Sequence, residues 1–80
     1  AGAIKSYPNP AKGSFTLEVN HINESLDYEM YNLKGERILS GSISQEKTMI
    51  DISKLIDGAY IIRVKQDGKD VYKANMTISN

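Results

Sequence analysis

The chain is poor in the residues on which many active sites and metal sites depend. It has no cysteine, which excludes disulfide bonds and thiolate metal sites, and it has no tryptophan and one phenylalanine. His21 is the only histidine, and it lies in a polar stretch between two apolar runs. No spacing singles out a serine or an aspartate as its partner in a hydrolytic triad. We therefore expect His21 to be a solvated loop residue and the chain to be no enzyme.

The chain also lacks an excess of charge of either sign. Ten lysines and arginines balance ten aspartates and glutamates, and no block of like charge occurs. Binding to nucleic acid or to an anionic membrane normally needs a basic stripe, and a membrane span needs about 20 apolar residues. We expect neither a nucleic-acid partner nor membrane insertion. The spacing of Asp67 and Asp70 does not fit the EF-hand template, and no phosphate-binding loop is present, so no metal and no cofactor are expected.

The length of 80 residues is enough for one small domain. A chain of this size buries only about 60% of the surface that its unfolded form exposes, so its core is modest. Ala1-Gly2-Ala3 has neither the basic nor the apolar region of a signal peptide. We expect residues 1–3 to be a remnant of cloning or of a linker, and residues 4–80 to be a domain of a longer precursor.

Apolar and polar residues alternate along most of the chain, as they do in half-buried strands. Phe15, Leu17 and Val19, for example, alternate with Thr16 and Glu18. No window of 11 residues sustains helical spacing, so the pattern predicts an all-β sandwich or barrel. The predicted strands lie near residues 4–7, 14–20, 25–31, 36–44, 47–52, 59–66 and 69–78.

Turn signals separate these strands. They fall at residues 9–13, 20–24 and 32–36, and at Asp67-Gly68. Asp67-Gly68 is the strongest of them, because a type I′ hairpin turn needs positive φ at both central residues.

Two local motifs have a direct physical interpretation. In the proline motif, Tyr7-Pro8-Asn9-Pro10, each proline keeps the residue before it extended and removes a backbone donor, which suits an edge strand. A leucine and Gly58 ahead of Tyr60 are typical of the tyrosine corner of Greek-key sandwiches, where the phenol bonds to backbone a few residues upstream. We expect Tyr60 to pack and to hydrogen-bond rather than to bind a ligand.

A binding surface is predicted on the polar faces of the later strands. Arg63 and Lys65, with Lys73 on the last strand, form either a small basic strip for a partner or an ordinary solvated face. Tyr31, on the polar face of its strand, is a candidate exposed aromatic anchor.

Five short motifs follow one another along nearly the whole chain, from about Ile4 to Ile78. They are Tyr7-Pro8-Asn9-Pro10 with Gly13, Tyr31-Asn32-Leu33-Lys34-Gly35, Ile50-Asp51-Ile52-Ser53-Lys54-Leu55, Gly58-Ala59-Tyr60-Ile61-Ile62-Arg63-Val64, and Gly68-Lys69 with Val71-Tyr72-Lys73. In this order and spacing they resemble the C-terminal sorting domain of substrates of the type IX secretion system (Por secretion system).

The resemblance implies an Ig-like antiparallel β-sandwich of about seven short strands at the end of a larger cargo protein. It implies that the cargo reaches the periplasm by a signal peptide, that the type IX translocon then recognises the folded domain, and that the cargo ends at the cell surface or outside the cell. It further implies a sortase-like peptidase that removes the domain upstream of the proline motif and joins the cargo to a surface lipopolysaccharide. The domain itself is then a substrate without catalytic residues.

Carried over by position, the resemblance assigns translocon recognition to nine residues. They are Pro8, Asn9, Pro10, Gly13, Gly58, Tyr60, Gly68, Lys69 and Lys73. The match loosens after Lys73, where the family often has a lysine-containing apolar strand. The same motifs can equally serve the fold alone, with recognition through the overall shape or the final strand.

One alternative function stays open. A fibronectin-like or carbohydrate-binding adhesion module fits the sandwich pattern, although a chain without tryptophan offers few aromatic platforms for a glycan. The oligomeric state also stays open: the last strand is expected at a sheet edge, where chains can pair into a weak homodimer.

Overall fold

The computed structural model describes residues 3–20 and 25–80, and within them it contains seven strands and no helix. The predicted all-β fold is therefore confirmed, whereas His21 and most of the turn predicted around it lie outside the described residues. The strands are β1 (Ile4–Lys12), β2 (Ser14–Val19), β3 (Leu26–Asn32), β4 (Arg37–Ile43), β5 (Lys47–Asp51), β6 (Gly58–Gln66) and β7 (Lys69–Ile78).

The strands form two sheets that share β1. One sheet has the order β4-β3-β6-β7 and the other the order β1-β2-β5, with antiparallel neighbours throughout. The end of β1 also joins the first sheet through one parallel contact between Ala11 and Ile78. The result is the small Ig-like sandwich that was predicted, with a single parallel contact added to its antiparallel pairing.

The core lies between the two sheets and contains the inward half of each alternating pattern. Phe15 and Leu17 from β2 meet Met30, Ile62 and Met76 from the other sheet, and each of these side chains is at most 1% exposed. Burial of a side chain of this size stabilises the fold by about 1.5–3 kcal/mol relative to leaving it in water. With no disulfide bond in the chain, this packing and the backbone pairing hold the sandwich together.

The first strand is longer than predicted and changes its partner along its length. The sequence predicted a strand at 4–7 and a turn at 9–13, but β1 continues through that stretch and the turn comes at Gly13, whose φ is 75°. Residues 4–7 pair with β2, whereas Ala11 pairs with Ile78 of β7. The prolines keep the segment between them extended, so the chain crosses from one sheet to the other instead of turning back.

The hairpin between β6 and β7 has the predicted type I′ turn. Asp67 and Gly68 have φ values of 51° and 79°, and the flanking Gln66 and Lys69 are paired. This turn sets the register in which β7 lies along β6.

Candidate functional site

The proline motif is joined to the last strand through the side chain of Asn9. The Asn9 Nδ2 donates to the backbone oxygen of Asn75 at 3.3 Å, and the Thr77 N–H donates to the Asn9 Oδ1 at 2.9 Å. Pro8 and Pro10 have no backbone N–H with which to pair with β7. The side-chain amide of Asn9 therefore gives the backbone of β7 the donor and the acceptor that a paired strand would give it. Both Xaa-Pro peptide bonds of the motif are cis.

A second connection lies just beyond the end of β7, at Asn80. Its Oδ1 accepts from the Gly13 N–H at 2.8 Å, and its Nδ2 donates to the carbonyls of Ile52 and Leu55, both at 2.9 Å. Its own N–H donates to the Asp57 Oδ1 at 2.8 Å. One amide side chain thus connects the β1–β2 turn, the segment after β5 and the segment that follows β7.

The tyrosine corner predicted at Tyr60 is confirmed. The hydroxyl of Tyr60 donates to the carbonyl oxygen of Ile56, four residues upstream, at 2.5 Å, and the residue is 8% exposed. Gly58, two residues before Tyr60, begins β6 and pairs with Ile78 at the end of β7. Tyr60 therefore fixes the path of the chain into β6 at the same end of the sheet as Asn9 and Asn80.

The structure divides the nine predicted recognition residues between the two ends of β7. Six of them lie near its last residues, Gly68 and Lys69 lie at its first, and Lys73 lies between. At about 3.3 Å per residue, the ends of this strand are about 30 Å apart. The six are Pro8, Asn9, Pro10, Gly13, Gly58 and Tyr60.

The predicted basic strip is largely an ion-pair network. Arg63 and Lys73 do lie opposite each other on β6 and β7. However, the Lys65 Nζ lies 3.2 Å from Glu29 on β3, and Arg63 lies 3.4 Å from Asp70. The strip therefore carries less free positive charge than its sequence indicates, and Lys73 is the cation on this face for which the structure gives no ion pair among the described residues.

Glu29 is the centre of this network and was not singled out from the sequence. Its carboxylate accepts a hydrogen bond from the Tyr31 hydroxyl at 2.6 Å and contacts Lys65 and Arg37, while its side chain is 15% exposed. The bond from Tyr31 is the main reason that the pKa of Glu29 falls from 4.5 to about 2, and the two cations lower it further. Glu29 is thus a charged residue that orders the outer face of the larger sheet.

Tyr31 is not the exposed anchor that was predicted. Its hydroxyl is bound to Glu29, its ring lies under the Arg63 guanidinium at 5.2 Å from the centroid, and the residue is half-buried. The neighbouring carboxylate raises the pKa of the Tyr31 phenol. Alternation placed Tyr31 on the polar face correctly, but it could not show that a cation from another strand covers the ring.

Other kinds of site find little support in the part of the chain that the structure describes. Tyr7, at 38% exposed, is the one aromatic residue of the described part of the chain that is exposed, and the others are half-buried or buried. A polar depression of about 330 Å³ lies between β3 and β4 and includes Asp27, Glu29 and Arg37. Residues 3–20 and 25–80 hold no group of three potential metal ligands and no helix able to cross a membrane.

Comparison with known proteins gives one family. A family model described as the secretion system C-terminal sorting domain matches residues 5–78, which include all seven strands apart from Ile4. No curated protein sequence matches the chain.

Proposed function

The chain belongs to the family of secretion system C-terminal sorting domains, and on that premise we propose that it directs a larger cargo protein, fused to its N-terminus, through the type IX outer-membrane translocon. The family match over residues 5–78 is the observation that carries this proposal. Membership makes the domain a type IX sorting signal whose cargo is secreted to the cell surface or the extracellular space. Such domains are non-catalytic in general, and we infer that this one is a substrate of the machinery.

The periplasm is the proposed compartment of transit, and a sortase-like peptidase is the proposed processing enzyme. It cleaves upstream of the domain, which we take to comprise residues 4–80, and joins the cargo to a surface lipopolysaccharide. The position of β1 supports this order of events, because a cut before Ile4 leaves all seven strands paired. Mass spectrometry of the released pieces tests it: the cut is expected before Ile4, and a cut inside a strand would contradict the proposal.

The nine motif residues are proposed to fall into two functional groups. The contacts of Asn9, Gly13 and Tyr60 support a role in the fold for the group at the end of β7. The exposure of Lys69 and Lys73 on the hairpin and strand supports a role in recognition for the second group. Variants of the first group are expected to lower the melting temperature together with secretion, whereas Lys73→Ala is expected to reduce secretion of a domain whose melting temperature is unchanged.

Deletion of residues 69–80 tests the sorting function itself. The deletion removes β7, with the buried Met76 and Ile78 and the partners of Asn9, so no intact domain remains for the translocon. Cargo with this deletion is expected to accumulate in the periplasm. Secretion of the truncated cargo at the normal level would count against the proposed function.

A further inference from the structure

We propose that the open edge of β7, the backbone of residues 71–75 on the side away from β6, binds an extended polypeptide segment that adds to the sheet as an eighth strand. The segment alternates acidic and apolar residues. This inference rests on the proposed function and deepens it, because it states which residue types the secretion machinery would use in the segment that binds the domain.

The open edge exists because β1 covers only the last part of β7. Residues 4–7 of β1 pair with β2 in the other sheet, and the one pairing between β1 and β7 is that of Ala11 with Ile78. Between the β6–β7 turn and Asn75, no strand of the described residues pairs with this side of β7, and β1 contacts the span through a side-chain hydrogen bond of 2.8 Å between the hydroxyls of Ser6 and Tyr72. A strand edge without a neighbour is a template for pairing with another chain.

The direction of the backbone groups follows from the bonds at the covered end. The N–H of Thr77 and the carbonyl of Asn75 point to Asn9, and the N–H of Ser79 points to Ala11, so these odd-numbered residues face away from β6. Backbone groups alternate in direction along a strand. The N–H and C=O of Lys73 and the N–H of Asn75 therefore face the same side and are available to an added strand.

The side chains beside the open edge indicate which residues the added strand carries. On the outer face, Lys73 is exposed and lies opposite Arg63, while the carboxylate of Asp70 on the same strand lies 3.4 Å from Arg63. On the inner face, Tyr72 and Ala74 pack against the core and are only half-buried. A strand with glutamates next to Lys73 and aliphatic side chains over Tyr72 and Ala74 complements both faces.

The charges disfavour a pairing of two copies of this chain that is centred on Lys73. Two β7 strands that pair about a two-fold axis at Lys73 place that lysine opposite itself. Like charges directly opposite each other destabilise a strand pair. The open span of five residues is about 17 Å long, which fits a short segment.

Hydrogen exchange and a peptide titration, both followed by NMR on the isotope-labelled domain, test this inference. The amides of Lys73 and Asn75 are expected to exchange much faster than those of Tyr72 and Ala74, which face β6. The probes are an end-blocked peptide of sequence TEVEVET, its counterpart TKVKVKT, and TEVEVET with every amide N-methylated. We expect TEVEVET alone to shift the Lys73 and Asn75 amides, with binding that weakens as salt is added.

Two charge variants give the matched comparison. Lys73→Glu is expected to weaken binding of TEVEVET about tenfold, because it replaces an attraction at the open edge by a repulsion. Lys34→Glu makes the same charge change on the β3–β4 loop and is expected to leave binding unchanged. Lys73 is exposed and faces Arg63, so the first variant keeps the fold.

Each result bears on the open edge separately from the sorting function. Protected amides at Lys73 and Asn75, equal binding of the acidic and basic peptides, or self-association of the domain through β7 would each overturn the inference. The proposed sorting function would instead be contradicted if cargo fused to the unmodified domain stayed in the periplasm. Secretion of cargo that carries Lys73→Glu at the normal level would overturn the inference and leave the sorting function intact.

Discussion

Replacement of Tyr60 by phenylalanine tests how the sandwich is held at the end where β6 begins. The change removes the hydroxyl that donates to the Ile56 carbonyl at 2.5 Å and keeps the ring, which is 8% exposed and packs in the core. Because the ring stays in place, the cost is that of one partly buried hydrogen bond, about 1–1.5 kcal/mol. In a domain of this size, 1 kcal/mol lowers the melting temperature by about 4–8 °C.

Thermal and urea unfolding, followed by circular dichroism, measure this cost. The urea midpoint of Tyr60→Phe is expected to fall at an unchanged slope, since the surface exposed on unfolding stays the same. Tyr7→Phe is the control, because the Tyr7 hydroxyl also donates a hydrogen bond, to Glu18 at 2.6 Å, but on the exposed face. The control is expected to change stability by less than about 0.5 kcal/mol. Equal midpoints for Tyr60→Phe and the wild type, or an equal loss in both variants, would refute the reasoning.

Three further perturbations test other contacts. Asn9→Ala removes both hydrogen bonds to β7 and is expected to lower the free energy of unfolding by about 1–2 kcal/mol. It is also expected to speed hydrogen exchange at the Thr77 amide, and unchanged exchange there would contradict the role of Asn9. The pKa of Glu29 is about 2 in the folded protein, below its ordinary 4.5, so its contribution is complete above about pH 4.5 and is lost as the pH falls toward 2. The difference in unfolding free energy between wild type and Glu29→Gln is therefore expected to shrink in that range, and a constant difference down to pH 2 would contradict the network. Gly41→Ala brings a Cβ to 2.7 Å from the Tyr28 ring and is expected to cost about 1–3 kcal/mol, whereas an unchanged urea midpoint would show that the ring moves aside freely.

The strands could be predicted from the sequence because one face of each is buried. The alternation through Phe15, Leu17 and Val19 is the direct result of a sheet with one wet and one dry face, and the structure buries all three. Asp67-Gly68 could be predicted because a type I′ turn makes a local demand on φ. A turn that requires positive φ and a strand with one buried face both determine which residue types occur at neighbouring positions, so both features can be recognised in a single sequence.

The contacts between distant strands could not be predicted in the same way. A period of two shows which face a residue occupies but not which strand lies beside it, so the sequence predicts a turn at residues 9–13, where β1 passes from one sheet to the other. The same limit applies to Asn80, whose partners at Gly13 and Ile52 are 67 and 28 residues away along the chain. It also applies to Glu29, whose partner Lys65 belongs to another strand, and this pairing changed the predicted basic strip into a network.

Addition of this domain to an unrelated protein tests the central claim most directly. Residues 3–80 are attached to the C-terminus of a fluorescent reporter that a signal peptide directs to the periplasm, in a host with a working type IX system. A parallel strain lacks a functional translocon, and circular dichroism of the isolated domain establishes that it folds. We predict reporter at the cell surface or in the medium of the first strain and in the periplasm of the second. Reporter that stays in the periplasm of both strains, with the domain folded, would contradict the assignment of this domain as a sorting signal.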